Sequence, residues 1–357
     1  MLLHAGFLLL TTVARIARRD DDWQDDDDSA NCVKAVPGPN GNVPITACNS
    51  YYNYDPQFAP AVAVAVIFGV FTAVHLVEGV LFKKRYTWVL TMGALWETIA
   101  FAIHAAGSRD QQQIAYATVW NVLFLLAPLW INAFAYMTFA RMVHFYLPRG
   151  KVAGLRAGGI ARWFVLADVV SFVVQAVGGI MASPSSSAEI VKVGLDIYLG
   201  GMGLQQGCIL VFVGLMYRFQ RECGREGVAG DGKRSWRSLL FALYGVLVCI
   251  TIRIIFRIAE FAGGVTPSNP VPFHEQYTYA LDCFPMMVAL LILAVWHPGR
   301  YLVGPDSEFP RLSRREKKER KREAKAAVWE EKEARKQAKR EAKAGRREAG
   351  GSGDDVV

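Results

Sequence analysis

Seven long apolar stretches fill the middle of the chain, separated by short polar or charged segments. Each has about twenty residues, and at roughly 1.5 Å of rise per residue a helix of that length crosses a bilayer core. The stretches lack the alternation of barrel strands, and helices satisfy their own backbone hydrogen bonds in lipid. The pattern predicts an all-α integral membrane protein, a seven-transmembrane-helix bundle. The predicted spans are 60–82, 87–107, 114–139, 163–182, 193–217, 239–262 and 277–296.

Basic residues are concentrated in alternate connections between these spans. They cluster in 83–85, 149–162 and 218–237, whereas the other connections hold only Arg109 and, at a helix edge, Lys192. Positively charged loops stay in the cytosol. The charge pattern therefore predicts the N-terminus outside and the C-terminus in the cytosol.

The first 59 residues are then an extracytoplasmic segment that precedes the membrane domain 60–304. Residues 1–17 fit a signal peptide with an apolar core but lack its usual basic start, so a disordered tail is the competing interpretation. Seven aspartates lie among the nine residues 20–28. They are typical of a solvated acidic spacer, and capture of cations or basic lipids is the functional alternative.

Cysteine usage follows the predicted topology. Cys32 and Cys48 lie on the oxidising side, and we predict a disulfide between them. The spacing of the cysteines does not match a metal site, and the histidines scatter over both membrane faces, which argues against a metal-dependent hydrolase. The chain also lacks a phosphate-binding loop, so neither a catalytic site, nor a metal, nor a cofactor is predicted.

The cytosolic tail, 305–357, is strongly basic. Between Arg311 and Glu348 it holds seventeen Lys or Arg and eight Glu, a net charge of +9, whereas the whole chain carries +8. Such an arm is attracted to anionic inner-leaflet lipids, by about 1 kcal/mol per basic residue near the surface. A nucleic-acid partner is a poor interpretation of a membrane-tethered tail.

Ionisable residues inside the spans are the strongest functional signal, because buried charge in a bilayer is costly. Arg253, Arg257 and Glu260 share one face of the sixth span, in the same membrane half as residues of the seventh and second spans. We predict one outward-facing polar cluster. Its members are Glu97, His104, Arg253, Arg257, Glu260, Glu275 and Asp282, with His274 next to Glu275.

The cluster has more carboxylates than arginines. One interpretation is that Glu97 or Asp282 binds a cationic substrate group or carries a proton. The other is a structural lock between arginines and carboxylates that fixes helix packing. The residues alone leave both open.

A second polar group lies toward the cytosol. His75 and Glu78 are spaced i to i+3 on the first span, where Glu78 could also reach Lys83 or Arg85. Asp168 begins a stripe of small and polar residues that continues through Gln175, and Gln205 lies in a similar stripe of the fifth span. Such stripes suit close helix packing, and a polar path is the alternative.

From about Tyr54 to Gly299 the chain resembles the fungal RTA-like family of lipid-translocating exporters, named for resistance to aminocholesterol. The motifs that carry this resemblance stand in order along the spans. They are Leu125-Leu126-Ala127-Pro128-Leu129 with Tyr136 and Arg141, Asp168-x-x-Ser171, Gln175 with Gly178-Gly179, Gly201 to Gln205, Arg253-x-x-x-Arg257-x-x-Glu260, Glu275-x-x-x-Tyr279-x-x-Asp282, Pro285-Met286 and His297-Pro298-Gly299.

One departure from the family pattern lies in the second span, where Glu97 and Ala100-Phe101 are followed by His104 in place of an expected arginine. The outer cluster thus loses a fixed charge, which implies a different ligand or pH-sensitive chemistry.

The resemblance implies a translocator without its own ATPase, a flippase or exporter of sphingoid long-chain bases or toxic amphiphiles, linked to stress or drug resistance and located at the plasma membrane. The alternative is a seven-helix sensor that signals through its cytosolic loops and tail. Neither interpretation makes the chain an enzyme. The candidate substrate-binding or translocation residues are Glu97, His104, Asp168, Gln175, Gln205, Arg253, Arg257, Glu260, Glu275, Tyr279 and Asp282.

Overall fold

The computed structural model describes residues 34–47, 49–182, 187–225, 235–264, 266, 268–304, 307 and 309, with three isolated positions in the tail. The possible signal peptide, the acidic spacer, Cys32, Cys48 and nearly all of the basic tail lie outside these residues, and the interpretations that rest on them remain predictions. The chain divides into a unit that ends at Glu308 and a second unit from Phe309 to Val357.

Seven long helices form most of the described part of the first unit. The seventh consists of an α-helical turn, a π-helical turn and a longer α-helix, all continuous. The helices are α1 (Phe58–Phe82), α2 (Trp88–Gly107), α3 (Ile114–Tyr146), α4 (Ala157–Met181), α5 (Ala188–Arg225), α6 (Trp236–Ala262) and α7 (Glu275–Thr278, Tyr279–Cys283 and Phe284–Val295), and a short α8 (Pro298–Tyr301) follows.

In the described part of the chain, seven helical spans are long and apolar enough to cross a membrane. The protein is therefore a multi-pass membrane protein, as the hydrophobic pattern predicts. Three helices run at least five residues further than their predicted spans: α3 continues to Tyr146, α4 begins at Ala157, and α5 covers 188–225. The added turns carry charged residues such as Arg141 and Arg218, because helices continue past the hydrocarbon into water.

Each helix packs against the next in the chain, and α7 returns to contact α1, so the bundle closes. Aromatic side chains fill its interior between α3, α4 and α5, where Tyr136, Phe139 and Phe164 all meet Phe212. Large apolar side chains such as Val66 and Leu210 point outward, as expected for a surface solvated by lipid. We call the end where α1 begins the N-terminal face and the opposite end the C-terminal face.

A two-stranded hairpin joins α3 to α4 at the C-terminal face. β1 (Lys151–Val152) pairs antiparallel with β2 (Leu155–Arg156). Ala153 and Gly154 between them both have positive φ, 48° and 79°, which is the geometry of a tight type I′ turn. The hairpin keeps this basic connection short and ordered.

Helices α4 and α5 approach each other through glycine. A Cβ placed on Gly178 would lie 2.6 Å from the carbonyl oxygen of Gly194, whereas one placed on the adjacent Gly179 would meet nothing within 4 Å. Small residues allow this kind of close backbone contact between membrane helices.

We therefore expect Gly178→Ala to destabilise the protein by about 1–3 kcal/mol, the usual cost of overpacking. Thermal unfolding in detergent would measure the effect, and Gly179→Ala is the matched control, expected to unfold no earlier than the unmodified chain. Equal stability of the two variants would contradict the tight α4–α5 contact.

Candidate functional site

A buried charge network joins α6 to α7 near the N-terminal face. Arg253 Nε donates to Asp282 Oδ1 and Arg257 Nε donates to Asp282 Oδ2, both at 2.5 Å. Arg257 also donates to Glu260 Oε2 at 2.8 Å, one turn along α6. The three α6 residues are almost fully buried and Asp282 is 0% exposed. Two guanidinium groups therefore face two carboxylates, and the network is neutral as a whole.

The network has a third partner, which comes from the backbone of α3. Pro128 lies inside α3 and has no N–H, so the carbonyl of Phe124, four residues earlier, lacks its usual helical donor. Arg253 donates to that carbonyl oxygen at 3.2 Å. The Phe124 ring also lies 4.9 Å from the Arg257 guanidinium, within cation–π range. Thus α3 holds both arginines without supplying a charge.

The π-helical turn of α7 contains Asp282. It runs from Tyr279 to Cys283 and ends just before Pro285, whose missing N–H interrupts the regular hydrogen-bond ladder. Single π-turns inside α-helices are frequent at functional sites. Here the turn carries the carboxylate that both arginines share.

Glu97 lies in α2 beside this network but takes no part in its hydrogen bonds. Its side chain is 0% exposed, and neither carboxyl oxygen has a hydrogen-bond partner among the described residues. It lies within electrostatic range of Arg253, Asp282 and Arg257. These three residues are already paired with one another or with Glu260. A buried carboxylate without a partner is costly. This carboxyl group is therefore stable only when it carries a proton or meets a cation.

Glu275, at the start of α7, organises a second set of contacts at the N-terminal face. Its Oε1 lies 2.9 Å from His104 Nε2 and accepts from the Tyr279 hydroxyl at 2.7 Å. Its Oε2 accepts from the backbone N–H of Gln57 at 3.0 Å. The His104 ring stacks on Trp120 with centroids 4.1 Å apart. This carboxylate thus ties α7 to α2 and to the start of α1.

Two tyrosines from the segment before α1 cover His104. The rings of Tyr52 and Tyr54 lie 6.2 Å and 6.3 Å from the His104 ring. Burial, with the nearby charge of Asp110, raises the pKa of Tyr52 to about 12. Burial and the charge of Glu275 raise the pKa of Tyr54 well above its ordinary value. Both hydroxyls are therefore neutral at physiological pH, and this cover adds no charge to the site.

The residues predicted toward the cytosol form two further groups in the bundle. Asp168 accepts from Asn132 Nδ2 at 3.0 Å and from the Tyr136 hydroxyl at 3.3 Å, and all three are buried between α3 and α4. Gln175 donates to Gln205 Oε1 at 3.0 Å, between α4 and α5. None of these hydrogen bonds connects the two groups to the network around Asp282.

Glu78 lies near the C-terminal face and contacts two basic groups. Its Oε2 lies 3.2 Å from His75 Nδ1, and its Oε1 accepts from Arg300 at 3.5 Å. Its observed basic partners differ from the lysine and arginine after α1 that the sequence suggests, because α8 folds back onto α1. His297, just before α8, stacks on Phe82 with centroids 4.8 Å apart.

An apolar groove of about 450 Å³ runs between α1 and α2 on the outside of the bundle, toward the N-terminal face. It is lined by Phe58, Val62, Ala65, Val66, Ala102, Ala105 and Ala106. Its apolar lining suits an alkyl chain.

The comparisons with known proteins agree with this architecture. The family model described as RTA1 like protein matches residues 90–304. The chain is 43% identical over 295 residues to the probable lipid transporter atnI of Emericella nidulans, covering 80% of this chain and 77% of that one. The chain belongs to the RTA1-like family.

Two further relatives of this RTA1-like protein come from Saccharomyces cerevisiae. Protein RTA1 is 30% identical over 210 residues, which cover 58% of this chain and 63% of RTA1, somewhat less than two thirds. The sphingoid long-chain base transporter RSB1 is 23% identical over 293 residues, 71% of this chain and 75% of RSB1. No solved structure matches the chain significantly.

In this RTA1-like protein the predicted outer cluster divides into three neighbouring parts. They are the Arg253–Arg257–Glu260–Asp282 network, the His104–Glu275–Tyr279 set, and Glu97 on its own. No group of three or more His, Cys, Asp or Glu among the described residues is arranged to hold a metal ion.

Several contact residues do not follow from the charge pattern. Asn132 is a polar residue in an apolar span, one turn before Tyr136, and that spacing is the signal that could have found it. Trp120 and Tyr54 carry no such signal, because aromatic residues are common in membrane spans and at their edges. Gln57 and Phe124 contribute backbone atoms, which side-chain patterns do not report.

Proposed function

We propose that this RTA1-like protein moves cationic long-chain lipids or similar amphiphiles across the membrane, and that Glu97 binds the cationic head group. The observation that carries the proposal is the buried carboxyl of Glu97, which has no hydrogen-bond partner among the described residues. An ammonium group would supply the missing charge and up to three hydrogen-bond donors.

The names of the relatives support a lipid substrate. One is called a probable lipid transporter and another a sphingoid long-chain base transporter. A sphingoid base has a primary amine next to hydroxyl groups and a single long alkyl chain. A carboxylate in an otherwise neutral polar region suits that head group.

Asp282 is a poor candidate for the same role. Both of its oxygens already accept from arginines, and any ammonium ion near it would face two guanidinium groups. Of the two acids that the sequence leaves open as substrate or proton carriers, the contacts favour Glu97. Asp282 and Glu260 serve as the lock that holds α6 and α7 in place.

The groove between α1 and α2 is the proposed path of the alkyl chain. It borders the helix that carries Glu97, and it opens toward the surface solvated by lipid. The chain would stay in the apolar environment while only the head group passes through the bundle. Since apolar burial contributes about 0.8 kcal/mol per CH₂, longer chains should bind more tightly.

The remaining assignments belong to this proposal. The N-terminal face lies outside the cell and the C-terminal face in the cytosol, because the basic connections are on the latter side. The tail binds anionic lipids of the inner leaflet, and the protein acts at the plasma membrane as a transporter without catalytic activity. Cys32 and Cys48 form a disulfide outside the cell.

A reconstitution experiment tests the head-group requirement. In liposomes that contain the purified full chain, a fluorescent long-chain base should become accessible to an external quencher at least tenfold faster than in empty liposomes. The same lipid with its amine converted to an amide should move no faster than without protein, because it has no charge for Glu97 to pair with. Equal acceleration of both lipids would contradict a carboxylate site.

The lock between α6 and α7 is the observation that favours a sensor as the second candidate. A ligand that breaks Arg257–Glu260 or Arg257–Asp282 would release α6, whose C-terminal-face end leads into a basic connection. If correctly folded protein accelerates neither lipid, the sensor becomes the favoured function. The cytosolic connections and the tail would then be tested for partner binding.

A further inference from the structure

A second unusual acid–base group lies deeper along the α1–α2 pair than Glu97. His75 on α1 is 1% exposed, and its Nδ1 contacts Glu78 at 3.2 Å. When Glu78 is ionised, the proton of the neutral imidazole lies on Nδ1. The other nitrogen, Nε2, then has a free lone pair and no partner among the described residues. It is a buried proton acceptor.

Glu97 and His75 lie at similar depths in the bundle. The hydroxyls of Thr72 on α1 and Thr98 on α2 are 3.1 Å apart, so these residues are level in the bundle. Glu97 directly precedes Thr98. His75 lies one turn beyond Thr72, about 4.5 Å closer to the C-terminal face at 1.5 Å per residue. Glu97 and His75 therefore both lie on the C-terminal-face side of the threonine pair, within about one helical turn of each other in depth.

His75 in turn is close to the C-terminal surface. His297 is within electrostatic range of both His75 and Glu78. Its Nδ1 accepts from the Gly299 N–H, so its own proton lies on Nε2, which has no partner among the described residues. Arg300 contacts Glu78 with a side chain that is 46% exposed. A proton on His75 therefore has a short route to the aqueous surface.

The groups that face Glu97 leave it free to change its proton. Arg253 and Arg257 on α6 are paired with Asp282 and Glu260. The Cys283 thiol on α7 lies in the same region, and His104 on α2 lies 2.9 Å from Glu275. A proton and a lipid ammonium ion would each neutralise the one remaining carboxylate. The two are therefore alternatives at one site.

We propose that the protein is an antiporter that exchanges one proton for one cationic lipid, with Glu97 as the shared site and His75, Glu78 and His297 as the proton route to the cytosol. This inference rests on the proposed function. A proton from outside protonates the Glu97 carboxylate and displaces the lipid outward. The carboxylic acid then gives that proton to His75, from which it reaches the cytosol, and the carboxylate binds the next lipid from the inner leaflet.

The exchange transfers one positive charge in each direction, so it is electroneutral. The pH difference across the membrane drives it, and the membrane potential does not. Export against a lipid gradient thereby gains an energy source although the sequence lacks a phosphate-binding loop. A tenfold lipid gradient would require one pH unit, outside acid.

The test uses a long-chain lipid with a trimethylammonium head group, which cannot carry a proton across the membrane by itself. Liposomes with the full chain and a pH-sensitive dye in the lumen receive this lipid from outside. We expect the lumen to become alkaline at least tenfold faster than in empty liposomes, because each lipid that enters releases a proton. Clamping the membrane potential should leave the rate unchanged.

His75→Gln is the variant that addresses the proton route. It should slow the alkalinisation at least tenfold. Exchange of labelled for unlabelled lipid across the membrane should remain, since that exchange releases no proton and shows that the variant is folded. His274→Gln, an exposed histidine at the N-terminal face, is the matched control and should behave as the unmodified protein.

The outcomes separate the two proposals. Lipid movement without a change of luminal pH would overturn the antiport and leave the lipid translocator intact. Alkalinisation that His75→Gln leaves unchanged would overturn the proposed route. Absence of any protein-dependent movement of the amine or trimethylammonium lipid would overturn both the translocator and the antiport.

Discussion

Replacement of Glu97 by glutamine is expected to reduce the protein-dependent movement of a cationic long-chain lipid at least tenfold while leaving the fold intact. Truncating one partner of a buried charge pair costs about 2–5 kcal/mol, and 1.4 kcal/mol corresponds to a factor of ten. Glutamine has nearly the same shape but cannot neutralise an ammonium ion. The rate at which a fluorescent base reaches an external quencher measures the effect.

The free energy of unfolding of Glu97→Gln should rise or stay the same, although its lipid movement falls. Glu97 makes no hydrogen bond to the described residues, so its replacement removes no contact, and the neutral amide avoids the cost of a buried charge. Glu189→Gln, the same chemical change at an exposed position of α5, is the control for both measurements. A Glu97→Gln variant that moves lipid at the unmodified rate would show that the head group binds elsewhere.

Asp282→Asn is expected to have the largest effect on stability, a loss of about 3–5 kcal/mol, which is typical when one partner of a buried charge network is removed. Asparagine has one oxygen and one amide group. The amide N–H₂ would face the N–H of one of the two arginines that now donate to Asp282, so one guanidinium group would lose its acceptor. A buried positive charge would remain uncompensated.

Unfolding of the purified protein in mixed micelles, followed by helical circular dichroism as denaturing detergent is added, would measure this loss. Asp196→Asn, at an exposed site on α5, should unfold with the unmodified protein. Unfolding of Asp282→Asn at the unmodified detergent fraction would mean that the network does not stabilise the bundle. Because Asp282→Asn disturbs the fold, the binding site is tested by Glu97→Gln.

Part of the site follows from the sequence. Glu97, Glu260, Glu275 and Asp282 all lie at suitable depths on their helices, so the sequence identifies a cluster with surplus acid. It does not identify the surplus acid. That choice depends on the rotation and contact of α2, α6 and α7, which set the arginine–carboxylate distances. Tertiary packing is not encoded in the periodicity of any single helix.

The fold follows more directly from the sequence than the site does. A bilayer core demands about twenty apolar residues per crossing, and this requirement locates the seven helices. It does not locate their ends, since α5 carries polar residues such as Glu189 and Arg221 well beyond the apolar part. The hydrophobic pattern also does not predict the π-turn around Asp282, because the cause of that turn is a local change of hydrogen bonding and not a change of hydropathy.

Pro128 in α3 influences a contact that is made by α6. Pro128 contributes no side-chain contact to the charge network, yet it determines that the Phe124 carbonyl is available to Arg253. An alanine at 128 would return that oxygen to its own helix, and Arg253 would lose an acceptor although it lies on α6, which the substitution does not touch. The effect of a substitution in this protein is therefore non-local. Position 128 is sensitive because the proline there leaves a backbone carbonyl free to accept from another helix.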